Sequence, residues 1–292
     1  MLFRLLHKLV KIDGDALNFV MLGDWGGQSD PPYYTTTEKK VATSMGAKAK
    51  EINSQFTVTL GDNFYDGGVE SEDDPRFQTT FENIFTASSL QKRWYAVCGN
   101  HDHHGNISAQ IAYTKKSSRW YMPDLYYTDD DIPHKSLKYL YGPFDPTESH
   151  GGFNTVSITD KTMVVTFFDN DECIHSKITS KTMVCAVRKP RSLCGPQSSK
   201  ESEDEWTWIE DTLSKSTADG ILVHGHYPVW SVAEHGPTQV LVDRLRPMLM
   251  KYNATAYFCG HDHDIQHIKE DGSNVNYFVS GAGSSYRLLY ST

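Results

Sequence analysis

The sequence predicts an α/β protein, and three observations carry that prediction. Short apolar runs alternate with segments of helical period through the first half of the chain. Five apolar runs, spread over the whole chain, are followed within two residues by glycine and then Asp, Asn or His. From about residue 121 to 168 helical patterning gives way to short runs separated by turns. Strands alternating with helices argue for a parallel sheet, whose polar strand ends carry the chemistry.

Taken in order, 18–22 reads as a strand, and 38–52 places Val41, Met45, Ala49 and Ile52 at helical spacing. Strand 56–60 follows, then a helix over 75–85 with Phe77, Phe81, Ile84 and Phe85 on one face, then strand 94–98. This is a βαβαβ order. Residues 126–127, 153–158 and 163–168 read as short strands, expected to build a second, more antiparallel sheet packed on the first. Residues 171–202 are polar and carry Arg188-Lys189-Pro190-Arg191, which predicts an exposed, mobile excursion. A helix over 203–214 turns Trp206, Ile209 and Leu213 inward. Strand 221–223, helix 239–252 and strands 256–259, 265–269 and 277–280 complete the pattern.

The 292 residues suffice for a full core, and one domain is expected over 18–292 behind a lead-in of residues 1–17. Arg4, His7 and Lys8 interrupt the apolar residues of that lead-in, unlike a secretory h-region. A net charge of −9 without a long basic run excludes nucleic acid as a default partner. No apolar stretch is long enough to span a bilayer. Of five cysteines, Cys98 and Cys259 read as small buried residues, while one disulfide and one thiol are expected among Cys173, Cys185 and Cys194. Two sequons, at Asn106 and Asn253, are candidate glycosylation sites, with Asn106 preferred.

The strand-end residues are Asp24, Asp62, Asn100, His226, and His261 with His263. Anionic and mixed oxygen/nitrogen donors on five loops point to a metal site for two ions, with Asp62 as the natural bridge. His224 reads as a hydrogen-bonded histidine of the core or just behind the ligands, and His103 and His104 as rim residues. Asp102 is expected either to orient His101 or to cap the following helix, and Asp264 to end the ligand loop. Trp120-Tyr121 and Tyr126-Tyr127 read as core rather than a substrate platform.

Together, Gly23-Asp24-Trp25-Gly26-Gly27, Gly61-Asp62-Asn63-Phe64-Tyr65, Gly99-Asn100-His101-Asp102-His103, Gly225-His226-Tyr227-Pro228, Ala233-Glu234-His235-Gly236-Pro237 and Gly260-His261-Asp262-His263 resemble the calcineurin-like metallophosphoesterase signature. The form is that of the small animal-type purple acid phosphatases, and the resemblance runs from about Asn18 to Gly283. It implies a four-layer αββα fold of two mixed sheets flanked by helices. It further implies hydrolysis of phosphate monoesters by metal-bound hydroxide; the alternatives are a metallophosphoesterase acting on phosphodiesters or phosphoproteins, or a truncated metal-binding chain with little activity. By resemblance, Asp24, Asp62, Tyr65 and His263 hold Fe(III). Asp62, Asn100, His226 and His261 hold a second ion, Fe(II) or Zn(II), with Mn(II) ranked behind them. Gly26 stands where generic members carry a histidine ligand, and Tyr65 supplies a phenolate instead. His101 and His235 match the family's non-ligand histidines, which bind phosphate and protonate the leaving group. Small phosphate monoesters or phosphoproteins are the implied substrates of a monomer in the secretory pathway, lysosomal or extracellular.

The chain also departs from the family pattern. Val240 replaces a cysteine, so the family disulfide to the region of Cys173 is not expected. The excursion is longer than the family loop, and the chain stops at Thr292, before further strands expected of the second sheet.

Overall fold

The computed structural model describes residues 16–127, 139–140, 152–159, 163–169, 173–178, 186–187, 199–216 and 221–284. Strand β1 (Ala16–Leu22) starts two residues before the expected domain boundary and leads to helix α1 (Thr36–Glu51). Thr35 opens α1 with a reciprocal cap: its hydroxyl accepts the Glu38 amide hydrogen at 2.9 Å, and the Glu38 carboxylate accepts that of Thr35 at 3.2 Å. Next come β2 (Phe56–Thr59), a wide-turned helical segment over Phe77–Glu82, β3 (Trp94–Tyr95), α2 (Ile107–Tyr113) and β4 (Trp120–Tyr121). Strands β1 to β4 are parallel neighbours, as their helical connections require.

The chain then returns through β5 (Tyr139–Leu140), β6 (Gly152–Thr159), β7 (Met163–Asp169) and β8 (Cys173–Ile178). These strands correct the sequence-based expectation of a separate antiparallel sheet. They extend the first sheet across β1, in the order β4-β3-β2-β1-β6-β7-β8-β5. The reason lies in β1, whose two faces are both apolar. Leu17, Phe19 and Met21 face one layer, while Val20 and Leu22 face another. Such a strand belongs at the centre of a covered sheet, with both edges paired. Accordingly Val20 lies opposite Thr57 of β2 on one side and Thr155 of β6 on the other.

The second sheet contains β9 (Ala186–Val187), β10 (Leu222–Gly225), β11 (Ala256–Cys259), β12 (Ile265–Lys269) and β13 (Asn276–Ser280). Its order is β12-β13-β11-β10-β9, antiparallel only at β12–β13. Helices α3 (Ser199–Lys215) and α4 (Arg246–Lys251) accompany it. Phe19, Phe167, Phe258 and Phe278 fill the space between the sheets. Val41 of α1 shares a core cluster with Phe81 and Trp94, and Trp206 of α3 and Leu249 of α4 share another with Tyr257. The result is the four-layer αββα arrangement.

Two strands and the start of α3 fall within 171–202, so that stretch is not wholly a loop. Cys185 and Cys194 lie outside the described residues. Tyr126-Tyr127 is not a strand: the Tyr127 hydroxyl lies 3.0 Å from the Ala96 carbonyl, beside β3. Trp120 is buried in the core as expected.

Candidate metal centre

Ends of parallel strands from both sheets meet at one edge of the sandwich. The Gly23 amide donates to the Ser280 carbonyl at 2.8 Å, and the Asp24 amide to Gly61 at 2.9 Å. Gly260 is tied to the His226 carbonyl at 3.0 Å. These bonds bring four loops within reach of one another. Asp24, Asp62 and His261 adopt left-handed backbone conformations, with φ of 57°, 51° and 71°. For residues with a Cβ that conformation costs roughly 1–2 kcal/mol each, which the surrounding bonds must hold in place.

The side chains meet in two groups. In one, the Tyr65 hydroxyl lies 3.2 Å from Asp24 Oδ1 and 2.9 Å from His263 Nε2. In the other, His226 Nε2 lies 3.0 Å from Asn100 Oδ1 and 3.3 Å from His261 Nδ1. Asp62 joins them, with Oδ2 at 3.4 Å from His226 Nε2. One donor atom each from Asp24, Asp62 and His226 lies within 4.8 Å of the others. Glycines make this closeness possible: a Cβ on Gly99 would stand 2.0 Å from Asp62 Oδ1, and one on Gly260 2.2 Å from Asp24 Oδ2.

Hydrogen bonds orient the donors. Leu60 O, 2.9 Å from His226 Nδ1, accepts that nitrogen's hydrogen and leaves Nε2 to the centre. Burial, reinforced by the nearby Asp62 charge, pushes the Asp24 carboxyl well above its usual range, although His226 opposes this. Burial opposes the Asp62 charge too, but His226 and His101 hold that group at about 2. Against its own burial, the two carboxylates raise His226 to about 9. Two carboxylates, a phenol, an amide oxygen and three imidazoles fit a pair of hard or borderline cations. The cations would offset the buried negative charge.

His101 Nδ1 lies 2.8 Å from Asp66 O, and its Nε2 is 3.9 Å from Asp62 Oδ2. The ring centroid of His235 lies 4.4 Å from that of His261. His224 lies in β10, buried and stacked on Phe258, away from the donors. Burial lowers its pKa to about 3. His104 is exposed, sharing the Asp66 carbonyl at 3.0 Å.

Neither expected role of Asp102 is the one its side chain takes. Its carboxylate is buried and accepts from the Gly99 amide at 2.8 Å, the Asn63 amide at 3.1 Å and Gln110 Nε2 at 2.9 Å. It therefore ties the Asp62 loop to the Asn100 loop, while Asn106 caps α2. Burial and the Asp62 charge raise its pKa to about 6. Asp264 ends the ligand loop as expected, directly before β12, and its carboxylate also accepts from Gln266 Nε2 at 2.9 Å, while burial pushes it up to about 7. Sequence reading also missed Asp262 beneath His235. No local signal marks it, because the loop turns at His261 with φ of 71° and strand alternation does not set where the Asp262 side chain lies.

The family model of calcineurin-like phosphoesterases matches residues 17–264. Tartrate-resistant acid phosphatase type 5 of Oryctolagus cuniculus is 39% identical over 271 residues, covering 92% of this chain and 73% of the relative. Purple acid phosphatase 7 of Arabidopsis thaliana is 30% identical over 293 residues, covering 96% and 74% respectively. Among solved structures, GAP50, the anchor in the inner membrane complex of Plasmodium, matches with a TM-score of 0.66 at 21% identity. That match covers 95% of this chain and 76% of the other, and at this identity it speaks for the fold alone.

Proposed function

This chain belongs to the calcineurin-like phosphoesterases and, within them, to the purple acid phosphatases, and from that premise we propose which residues carry its chemistry. It is an acid phosphatase, a hydrolase of phosphate esters that uses a binuclear metal centre. In our reading Asp24, Asp62, Tyr65 and His263 hold Fe(III), and Asp62, Asn100, His226 and His261 hold Fe(II) or Zn(II). The single observation that carries this is the convergence of the two donor groups on Asp62. A phenol among carboxylate and imidazole donors favours a trivalent ion at the Tyr65 side.

When bound, the cations supply positive charge to the phosphoryl oxygens and acidify the attacking water. The chain's own residues do the rest. His101, braced by Asp66, holds the phosphoryl group from one side. His235 approaches from the other and delivers a proton to the leaving alkoxide oxygen as its bond to phosphorus breaks. Asp102 keeps the Asp62 and Asn100 loops in fixed relation, so the donors need no rearrangement.

Small phosphate monoesters or phosphoproteins are the proposed substrates. A monomer in the secretory pathway, lysosomal or extracellular, is the proposed setting, supported by exposed sequon asparagines at 106 and 253. No helix among the described residues is long and apolar enough to cross a membrane.

The test is an absorption spectrum with elemental analysis, run beside hydrolysis of p-nitrophenyl phosphate and its bis-ester. A visible tyrosinate band, iron content and preference for the monoester support the reading. A colourless, iron-free protein that prefers the bis-ester would overturn it. Removal of N-glycans, read as a mass shift lost in Asn106→Gln, tests the setting.

A further inference from the structure

His235 presents an exposed ring on a buried anchor. Its side chain is 41% exposed, whereas that of Asp262 is 1% exposed. His235 Nδ1 lies 2.7 Å from Asp262 Oδ1, and the same oxygen accepts the His235 backbone hydrogen at 3.1 Å.

The Val232 amide can only donate, so the Gln266 side-chain atom 2.9 Å away is the carbonyl oxygen. The Gln266 nitrogen then faces Ser231 Oγ at 2.8 Å and the Asp264 carboxylate at 2.9 Å. Ser231 Oγ also accepts from the Ala233 amide at 3.1 Å, so its own hydrogen is free for Asp262 Oδ2, its remaining neighbour. Asp262 is thus an acceptor at both oxygens. The hydrogen between it and the ring must therefore sit on His235 Nδ1, so the proton the ring delivers as an imidazolium is the one on Nε2.

We infer that Asp262 is a positioning residue for His235, and that Ser231 and Gln266 hold Asp262 in place for that task. The inference rests on the reading of His235 as the leaving-group acid. Asp262 lies between His261 and His263, so the loop offering two metal donors also sets where the acid stands. An exposed imidazole without this anchor would sample other rotamers and meet the leaving oxygen less often.

Two measurements test this on the full chain. With zinc as the only metal and 15N-labelled histidine, NMR at a pH where the ring is neutral should show His235 carrying its one hydrogen on Nδ1, with that preference lost in Asp262→Ala. In kinetics, Asp262→Asn and Asp262→Ala should lower kcat on an alkyl phosphate roughly tenfold more than on p-nitrophenyl phosphate, whose leaving group needs little protonation. KM should stay near wild type, and adding the change to His235→Ala should cause no further selective loss. Should the Asp262 variants fail to fold, Ser231→Ala should show the same selectivity in weaker form. An unchanged His235 tautomer in Asp262→Ala, or equal losses on both esters while His235→Ala is selective, would overturn the inference. If His235→Ala itself shows no selectivity, the acid role falls, and the tautomer alone decides whether Asp262 holds the ring.

Discussion

The hydroxyl of Tyr65 stands 2.9 Å from Nε2 of His263, a residue 198 positions further along the chain. The same hydroxyl lies 3.2 Å from Asp24 Oδ1, so three loops meet at one phenol oxygen. Tyr65→Phe removes that oxygen but keeps the ring, which packs edge-on against His101 with centroids 4.7 Å apart. The visible band should vanish and iron retention should fall, while the thermal transition shifts little. Absorption spectroscopy with metal analysis reads the first two; an iron-loaded, coloured variant would exclude Tyr65 as a ligand.

His101 and His235 flank the donors without belonging to either group. His101→Ala and His235→Ala should each lower kcat by roughly 10²-fold, the usual range for a proton-transfer or positioning group. Metal content should remain near two ions per chain. Wild-type turnover in either variant would remove that histidine from the reaction.

Gly99 tests the closeness of the loops. An added methyl would sit 2.0 Å from Asp62 Oδ1 and 2.4 Å from the Asp62 amide, neither of which is a flexible chain end. Gly99→Ala should therefore weaken metal retention and activity together, because the shared carboxylate must move. Metal titration by calorimetry measures the loss. Unchanged affinity would mean the Asp62 loop yields more easily than its hydrogen bonds suggest.

His267, on β12, stacks on Phe278 with ring centroids 4.3 Å apart. Burial, helped by Lys269, lowers its pKa to about 4. The unfolded chain takes up that proton near 6.5, so it binds more protons than the folded one between 6.5 and 4. Stability from this group is complete above the upper value and is lost as pH falls through the window. His267→Phe keeps the stacking and removes the titration. Urea unfolding should show the variant gaining roughly 2 kcal/mol on wild type between pH 7 and pH 4.5. Parallel curves would show that His267 does not titrate differently on folding.

Much of this architecture is readable without coordinates. Val41, Met45 and Ala49 sit at helical spacing and are buried in α1, because periodicity reports which face an element hides. Glycine followed by Asp, Asn or His marks a turn at a strand end, so the loops bearing Asp24, Asp62, Asn100 and His261 could be found locally. Periodicity does not say which sheet a strand joins. Strands β6 and β7 therefore read as a separate layer, although they extend the first sheet beyond β1.

The polar contacts divide in the same way. Donor identity and spacing within one loop are written in adjacent residues, as in His261-Asp262-His263. By itself, then, the sequence determined the elements, their buried faces and the residue types able to hold metal. Only the tertiary structure decided that Asp102 binds Asn63 rather than His101, and that Asp262 supports His235. Those pairs lie 39 and 27 positions apart, and a hydrogen bond depends on distance and angle in space, which chain packing alone sets.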